Sequence, residues 1–212
     1  MSKKVTYILD CDGVILDSNL MKVIAMKDSL ESFQLFSSND ISNAVKNFKS
    51  NFGMSRYWHM EQFIKILKNT PPSFSKDCIG YYEKIVRKKY LSVPLCEGVE
   101  CFLKNNKSKK YVVSGSNQLE LNKVFKDRKL DKHFELILGS PTSKEENISY
   151  IVTSSPKSKF IMIGDSHADM NASITNAIDF IFYKPYSFVA SDLEIAAKSH
   201  HFKVLSSWAD IT

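Results

Sequence analysis

The sequence predicts an α/β fold: a doubly wound parallel sheet, interrupted once by a block of helices. Three observations carry that expectation. Five short runs rich in apolar, β-branched and aromatic residues recur along the 212 residues, at 5–9, 111–113, 136–138, 160–163 and 180–183. They are continuously apolar rather than alternating, which marks strands covered on both faces. Helical patterns at 98–105, 119–126, 145–153 and 168–175 lie between the later runs, and strand alternating with helix is the pattern of a doubly wound sheet.

The third observation is a break in that rhythm. From about 19 to 91 no good strand is found. Helical stretches stand there instead, at 20–36, 41–52, 57–67 and 76–90, the last two separated by Pro71-Pro72, which cannot continue a helix. The expected organisation is therefore a core of 1–17 and 93–212, with a small helical domain of 18–92 inserted after the first strand. A last strand is expected at "FKVL", 202–205, and His200-His201 before it read as surface or turn residues.

Composition sets the outer bounds. Hydrophobic residues are 43% and charged residues 25%, as in ordinary globular proteins. The net charge of +6 comes from scattered basic residues. Solvated helix faces explain them better than a nucleic-acid surface does, and no patch interleaves basic with aromatic residues. A positive balance also helps to steer an anionic substrate. The four cysteines, Cys11, Cys78, Cys96 and Cys101, have no metal-binding spacing and read as free thiols of a reducing compartment. The apolar run in "MSKKVTYILD" is too short for a signal peptide or a membrane span, so the cytoplasm is the expected location and no membrane partner is expected. Monomer and homodimer are both compatible with the sequence.

In parallel sheets, ligands bind at the carboxyl ends of the strands. Four apolar runs end in polar, glycine-bearing turns: Asp10-Cys11-Asp12-Gly13, Ser114-Gly115-Ser116-Asn117, Gly139-Ser140-Pro141 with Lys144 just beyond, and Gly164-Asp165-Ser166-His167-Ala168-Asp169. Four of the seven glycines lie in these turns. Asp10 and Asp12 are two residues apart, so an extended chain points them the same way. Their repulsion calls for a cation between them or a proton on one of them, and a hard ion such as Mg²⁺ suits oxygen ligands. Read alone, the pair is equally compatible with a turn and a helix cap. Asp165 and Asp169 strengthen the metal reading. Ser114 and the backbone N–H groups around Gly115 can donate to an anion, and Lys144 can supply a fixed positive charge. Such a set fits phosphoryl transfer, with Asp10 as attacking carboxylate and Asp12 moving the proton.

These motifs resemble the haloacid dehalogenase-like (HAD) superfamily. "DCDGV" resembles its first motif, "VVSGS" its second through Ser114, "GSPTSK" its third through Lys144, and "IMIGDSHAD" its fourth through Asp165 and Asp169. The resemblance implies a Rossmann-like core with a helical cap between the first two motifs. It implies Asp10 as the aspartyl nucleophile and Asp12 as acid/base. It implies Mg²⁺ held by Asp10, by the Asp12 backbone carbonyl and by Asp165, with Asp169 supporting it. Gly13, Gly115, Ser116 and Asn117 would surround the phosphate. Gly53-Met54-Ser55-Arg56 resembles the specificity loop of β-phosphoglucomutase-like members, with Arg56 on a second anionic group of the substrate. A helix N-terminus capped by Ser55 is an equal alternative there. Trp58, His59 and Lys46 have no assignable role.

The implied function is a Mg²⁺-dependent phosphatase acting on a small phosphorylated metabolite, a sugar phosphate or a phosphoglycolate-like acid. A sugar phosphate mutase is the first alternative. Mutase-like members carry a glutamate before the fourth-motif aspartate, where this chain has Gly164, and that favours the hydrolase. A non-catalytic binding domain on the same fold is the second alternative, but Asp10 and Lys144 are both present.

Overall fold

The computed structural model describes residues 4–211, so the outermost residues of the expected core, 1–3 and 212, lie outside the described residues. Six strands form one all-parallel sheet: β1 (Val5–Leu9), β2 (Lys109–Asn117), β3 (Leu136–Ser140), β4 (Lys159–Gly164), β5 (Asp179–Tyr183) and β6 (Lys203–Leu205). Their order is β3-β2-β1-β4-β5-β6, so β1 sits in the middle and the order reverses beside it. Leu9 pairs with Val112 on one side and Ile163 on the other.

Alternation along β1 divides the core. Tyr7 and Leu9 face one layer, with α5 (Val99–Asn105) and α6 (Gln118–Asp127) packed there through Phe102, Leu121 and Phe125. Ile8 faces the other, with α7 (Lys144–Ser154), α8 (His167–Thr175) and α9 (Ala190–His200) packed through Ile148, Met170 and Leu193. Period-two side chains on a doubly covered sheet produce these two layers. The α9 helix has no counterpart among the sequence expectations. Its buried face is only Leu193 and Ala197, too thin for a clear apolar stripe.

The helical insert consists of α1 (Asn19–Glu31), α2 (Ser38–Ser50), α3 (Arg56–Ile66) and α4 (Phe74–Lys89). Each packs on its neighbours, and α1 also packs on α4. The first helix ends at Glu31, five residues short of the expected 36. Phe33 and Phe36 turn out of the helical path to pack on Phe74, with ring centres 5.1 and 5.7 Å away, and Gln34 between them adopts φ 53°. Tertiary aromatic packing thus overrides a helical pattern. The chain leaves and re-enters the core through adjoining segments. The Asp17 N–H donates to Pro94 O, and the Cys96 N–H donates to Ile15 O.

Cys11, Cys78 and Cys96 are buried free thiols, whereas Cys101 is exposed. His200 and His201 are exposed at the turn into β6, as expected. Among the described residues no helix is long and apolar enough to cross a membrane.

Candidate active site

Asp10 follows β1 directly and donates its N–H to Ile163 O at 3.0 Å, which fixes it beside the end of β4. Asp165 follows β4. Asp169 is held by a capping box at the start of α8: its carboxylate accepts from Ser166 N–H (3.1 Å) and Ser166 Oγ (2.5 Å), while Ser166 Oγ accepts from the Asp169 N–H. Lys144 opens α7, capped by Ser143. All four side chains are buried, and one carboxylate oxygen from each of Asp10, Asp165 and Asp169 lies within 4.8 Å of the others. Lys144 Nζ stands 2.6 Å from Asp169 Oδ1 and 3.0 Å from Asp10 Oδ1.

The electrostatics show carboxylates short of positive charge. Burial raises Asp10, the charge of Asp169 adds to the rise, and Lys144 only partly opposes it, so Asp10 is pushed up to about 7. Burial, then Asp10 and Asp169, raise Asp165 well above the usual carboxylate range. Burial disfavours the Lys144 ammonium, but the two aspartates outweigh it and hold the lysine above its ordinary value. Asp165 Oδ1 is buried with no hydrogen-bond partner, and Asp10 Oδ1 is met only by the Lys144 ammonium, 3.0 Å away. Three hard oxygen donors, with Asp165 Oδ1 buried and unpartnered and one lysine shared between Asp10 and Asp169, fit a divalent cation of the Mg²⁺ kind. Gly13 leaves room for them. Its φ is +76°, and a Cβ there would lie 2.3 Å from Asp165 Oδ2 and from Asn19 Nδ2.

Asp12 faces the other way. Its Oδ1 accepts from Ser18 Oγ (2.5 Å) and Tyr90 OH (2.7 Å), and its Oδ2 from Lys22 Nζ (2.6 Å) and Ser116 Oγ (2.9 Å). Lys22 also donates to Ser116 Oγ at 2.7 Å and stands over the Tyr90 ring at 4.6 Å. Burial alone would raise Asp12, but Lys22 and these hydroxyls hold it below the usual range. This corrects one expectation. The closeness of Asp10 and Asp12 is not resolved by a cation between their carboxylates. The Asp12 carboxylate is neutralised by a lysine from α1, outside the acidic cluster. The cause is local backbone: β1 ends at Leu9, and Cys11 O accepts from the N–H groups of Ile15 and Leu16, so Asp12 sits in a turn where strand alternation no longer applies.

The second motif lies within β2, in the register shift between Val113 and Asn117. Ser114 Oγ is buried and accepts from the Ser116 N–H at 3.2 Å. Gly115 is where the insert touches the core: a Cβ there would lie 2.3 Å from Gly53 O. Ser116 faces Asp12. Asn117 uses its side-chain oxygen to cap α6, accepting from the Leu119 and Glu120 N–H groups. That oxygen is committed to the fold.

Arg56 opens α3 after Ser55, which caps it by accepting from the Trp58 N–H. The guanidinium is buried, not offered to solvent. Nη1 donates to Glu83 of α4 at 2.7 Å, Nη2 donates to Glu120 of α6, and the group lies 5.4 Å from the Tyr82 ring centre. Burial opposes its charge, but Glu120 and Tyr82 hold it above its ordinary value. His59 is buried against Phe48 and Trp58, and burial lowers it to about 3, so it packs as a neutral ring. Lys46 is exposed.

The sequence reading missed Lys22, Ser18, Asn19, Tyr90 and Glu120. Asn19 Nδ2 donates to Asp165 Oδ2 at 2.6 Å and links α1 to the acidic cluster. One signal was available: Ser18 and Lys22 are spaced i, i+4, so they share a helix face directly after the first motif.

The sequence model of the haloacid dehalogenase-like hydrolase family matches residues 7–183. The chain belongs to that family. Solved structures of the same fold agree with the match. A predicted phosphatase from Clostridium acetobutylicum is 22% identical, with TM-score 0.74 over 97% of this chain and 95% of that one. A predicted phosphoglycolate phosphatase from Haemophilus somnus is 13% identical, with TM-score 0.76 over 100% and 97%. A haloacid dehalogenase-like hydrolase from Streptococcus pneumoniae is 15% identical, with TM-score 0.70 over 94% and 100%. Among curated proteins no sequence matches this chain significantly. Family membership makes the chain a hydrolase of the HAD type, with the acidic cluster at its strand ends.

Proposed function

We propose that this HAD hydrolase is a Mg²⁺-dependent phosphatase of small phosphorylated metabolites, working through a phosphoryl group carried on Asp10. The observation that supports it most is the division of labour between two neighbouring carboxylates. Asp10 lies among Lys144, Asp165 and Asp169, whereas Asp12 lies two residues on in a separate hydrogen-bond set. Phosphoryl transfer through a carboxylate needs both: one to attack, one to move a proton.

Asp10, Asp165 and Asp169 would hold the cation, with the Asp12 backbone carbonyl as a further oxygen. When bound, Mg²⁺ supplies positive charge that keeps Asp10 ionised and screens it from the phosphate dianion. An Asp10 carboxylate oxygen attacks phosphorus, and the bond from phosphorus to the ester oxygen breaks. Asp12 gives that oxygen its proton. Water then attacks the phosphorus, Asp12 takes the water's proton, and the bond from Asp10 to phosphorus breaks to release phosphate. Lys144 keeps its charge beside Asp10 throughout. Ser114 and the turn at Gly115 supply donors for the non-bridging oxygens. Lys22 holds Asp12 in the ionised form that the second half uses. For the first half, Asp12 carries a proton taken from solvent water, and the proton it takes from the attacking water in the second half restores that form for the next turnover. Residues 18–92 act as the cap that covers the site, through Lys22, Tyr90 and the Gly53 carbonyl.

The test is turnover of p-nitrophenyl phosphate with release of free phosphate. Wild-type protein with Mg²⁺ is expected to be active, and EDTA to abolish the activity. Asp10→Asn is expected to lose roughly 10⁴-fold or more in kcat, as nucleophile removal does elsewhere. Hydroxylamine trapping should mark Asp10 alone. Full activity of the Asp10→Asn variant would sink the reading. Phosphate relocated on a sugar without release would favour the mutase.

A further inference from the structure

The first turn of the insert touches both halves of the site. Ser18 makes no capping bond at the start of α1; its hydroxyl donates to Asp12 instead. Lys22, one turn on, donates to Asp12 as well. Asn19, between them, turns to the other half. It is 2% exposed, and its Nδ2 donates to Asp165 Oδ2 at 2.6 Å and to Tyr186 O at 2.9 Å. A carboxylate oxygen and a backbone carbonyl both accept, so the nitrogen of the amide must face them and its orientation is fixed. Among the described residues it is the only side chain of the insert that hydrogen-bonds to Asp10, Asp165 or Asp169. The core holds Asp165 from its other end, where Ser187 Oγ donates to the Asp165 carbonyl at 2.6 Å. Pinned at its backbone and at Oδ2, Asp165 keeps Oδ1 buried and unengaged, and Asn19 Oδ1 is likewise buried without a partner. Gly13 makes the contact possible, since any side chain there would strike both Asn19 and Asp165.

We propose that Asn19 is a positioning residue for the cation, and that it couples the ion to the seating of the insert. The proposal rests on the Mg²⁺-dependent reading above and adds a residue to it. Asn19 acts through Asp165. The physical basis is preorganisation. A carboxylate tied by a fixed donor presents its free oxygen already oriented, and partners behind a metal ligand are typically worth about 10- to 100-fold in affinity. Mg²⁺ also keeps several waters when carboxylates bind it, and Asn19 Oδ1 is a buried acceptor of the kind their hydrogens need. The donor sits on the insert and the acceptor on the core, so the effect is reciprocal. Whatever factor the seated insert adds to the ion's affinity, the ion adds to the seating of the insert. A loaded core therefore holds its cap more tightly than an empty one.

The test titrates Mg²⁺ alone, with no substrate, into the full chain by isothermal titration calorimetry. Asn19→Leu keeps the volume of the side chain and removes the donor. It should weaken Mg²⁺ binding about 10- to 100-fold. A loss of less than about tenfold overturns the proposal, because a residue that merely fastened α1 would lower stability and leave the ion's affinity alone. Should Asn19→Leu fail to fold, Asn19→Ala reads the same constant. Hydrogen exchange reads the reciprocal effect. Saturating Mg²⁺ should slow exchange in α1 of wild type by about the factor that calorimetry gives, and should leave α1 of Asn19→Leu unslowed. Equal slowing in both proteins overturns the coupling. The two levels fail separately. If wild type binds Mg²⁺ and Asn19→Leu binds it equally, only the role of Asn19 falls. If wild type binds no Mg²⁺, the metal-dependent reading falls and this proposal with it.

Discussion

Two halves of one site meet at the end of β1, and they are built on opposite principles. The half around Asp10, Asp165 and Asp169 comes from the core, apart from the Asn19 contact, and has too many carboxylates for its one lysine. The half around Asp12 joins core to insert, and both oxygens of its carboxylate are paired twice over. In the first half Asp165 Oδ1 is buried without a partner and Asp10 Oδ1 has only Lys144; in the second no oxygen of Asp12 is left unpaired. Frustration in one place and satisfaction two residues away differ by design of partners, not by burial, since both aspartates are buried. The contrast separates a place prepared for a cation from one prepared to hold and move a proton.

The largest break in this contrast is expected from Lys22→Met, which strips the second half of its cation. A buried carboxylate left without its partner costs about 3–5 kcal/mol. Urea unfolding should show that loss. Turnover of an alkyl phosphate and of p-nitrophenyl phosphate should fall by a similar factor, about 10²-fold, because release of phosphate from Asp10 is common to both and uses the ionised Asp12 that Lys22 maintains. A loss confined to the alkyl phosphate would place Lys22 in the leaving-group step instead.

The next effect distinguishes the halves by the sign of their pH dependence. Asp10 has a folded value near 7 against an ordinary 3.8, so the folded state holds its proton more tightly than the unfolded state does. In EDTA, the stability this contributes is full below about pH 3.8 and is lost as pH rises toward 7, at up to about 1.4 kcal/mol per unit. Asp12, lowered by Lys22, contributes stability that is lost as pH falls below the ordinary carboxylate range. Urea midpoints of wild type relative to Asp10→Asn, from pH 4 to 7.5, should therefore decline with rising pH. A flat difference would mean that Asp10 is not frustrated in the absence of a cation.

The smallest effect is the response to Mg²⁺ itself. Added at a hundred times its dissociation constant, the ion should stabilise wild type by about 2.7 kcal/mol. A thermal melt reads this directly. Asp165→Asn should abolish the response, whereas Ser116→Ala, which touches only the Asp12 half, should keep it. A Mg²⁺ shift surviving in Asp165→Asn would move the ion elsewhere.

Much of this was legible in one dimension. The five expected strands, their parallel covering and the polar turns after four of them follow from local composition, because a doubly buried strand must be apolar and a strand-end turn must bend sharply. Asp10, Lys144, Asp165 and Asp169 were visible for the same reason: each lies at or just beyond the end of a strand. Arg56 was visible as a charged residue in a recognisable loop, but its partners were not. Glu83 and Glu120 lie 27 and 64 residues away, and nothing local marks them. Lys22 was hidden too, since a lysine in a helical stretch is usually solvated. The sequence by itself determined the α/β sheet, the place of the insert and the acidic strand ends, all set by short-range pattern. Only the tertiary structure decided which carboxylates stay unpaired, which lysine answers Asp12 and what quenches Arg56, because charge pairing depends on distances in space between segments that the chain keeps far apart.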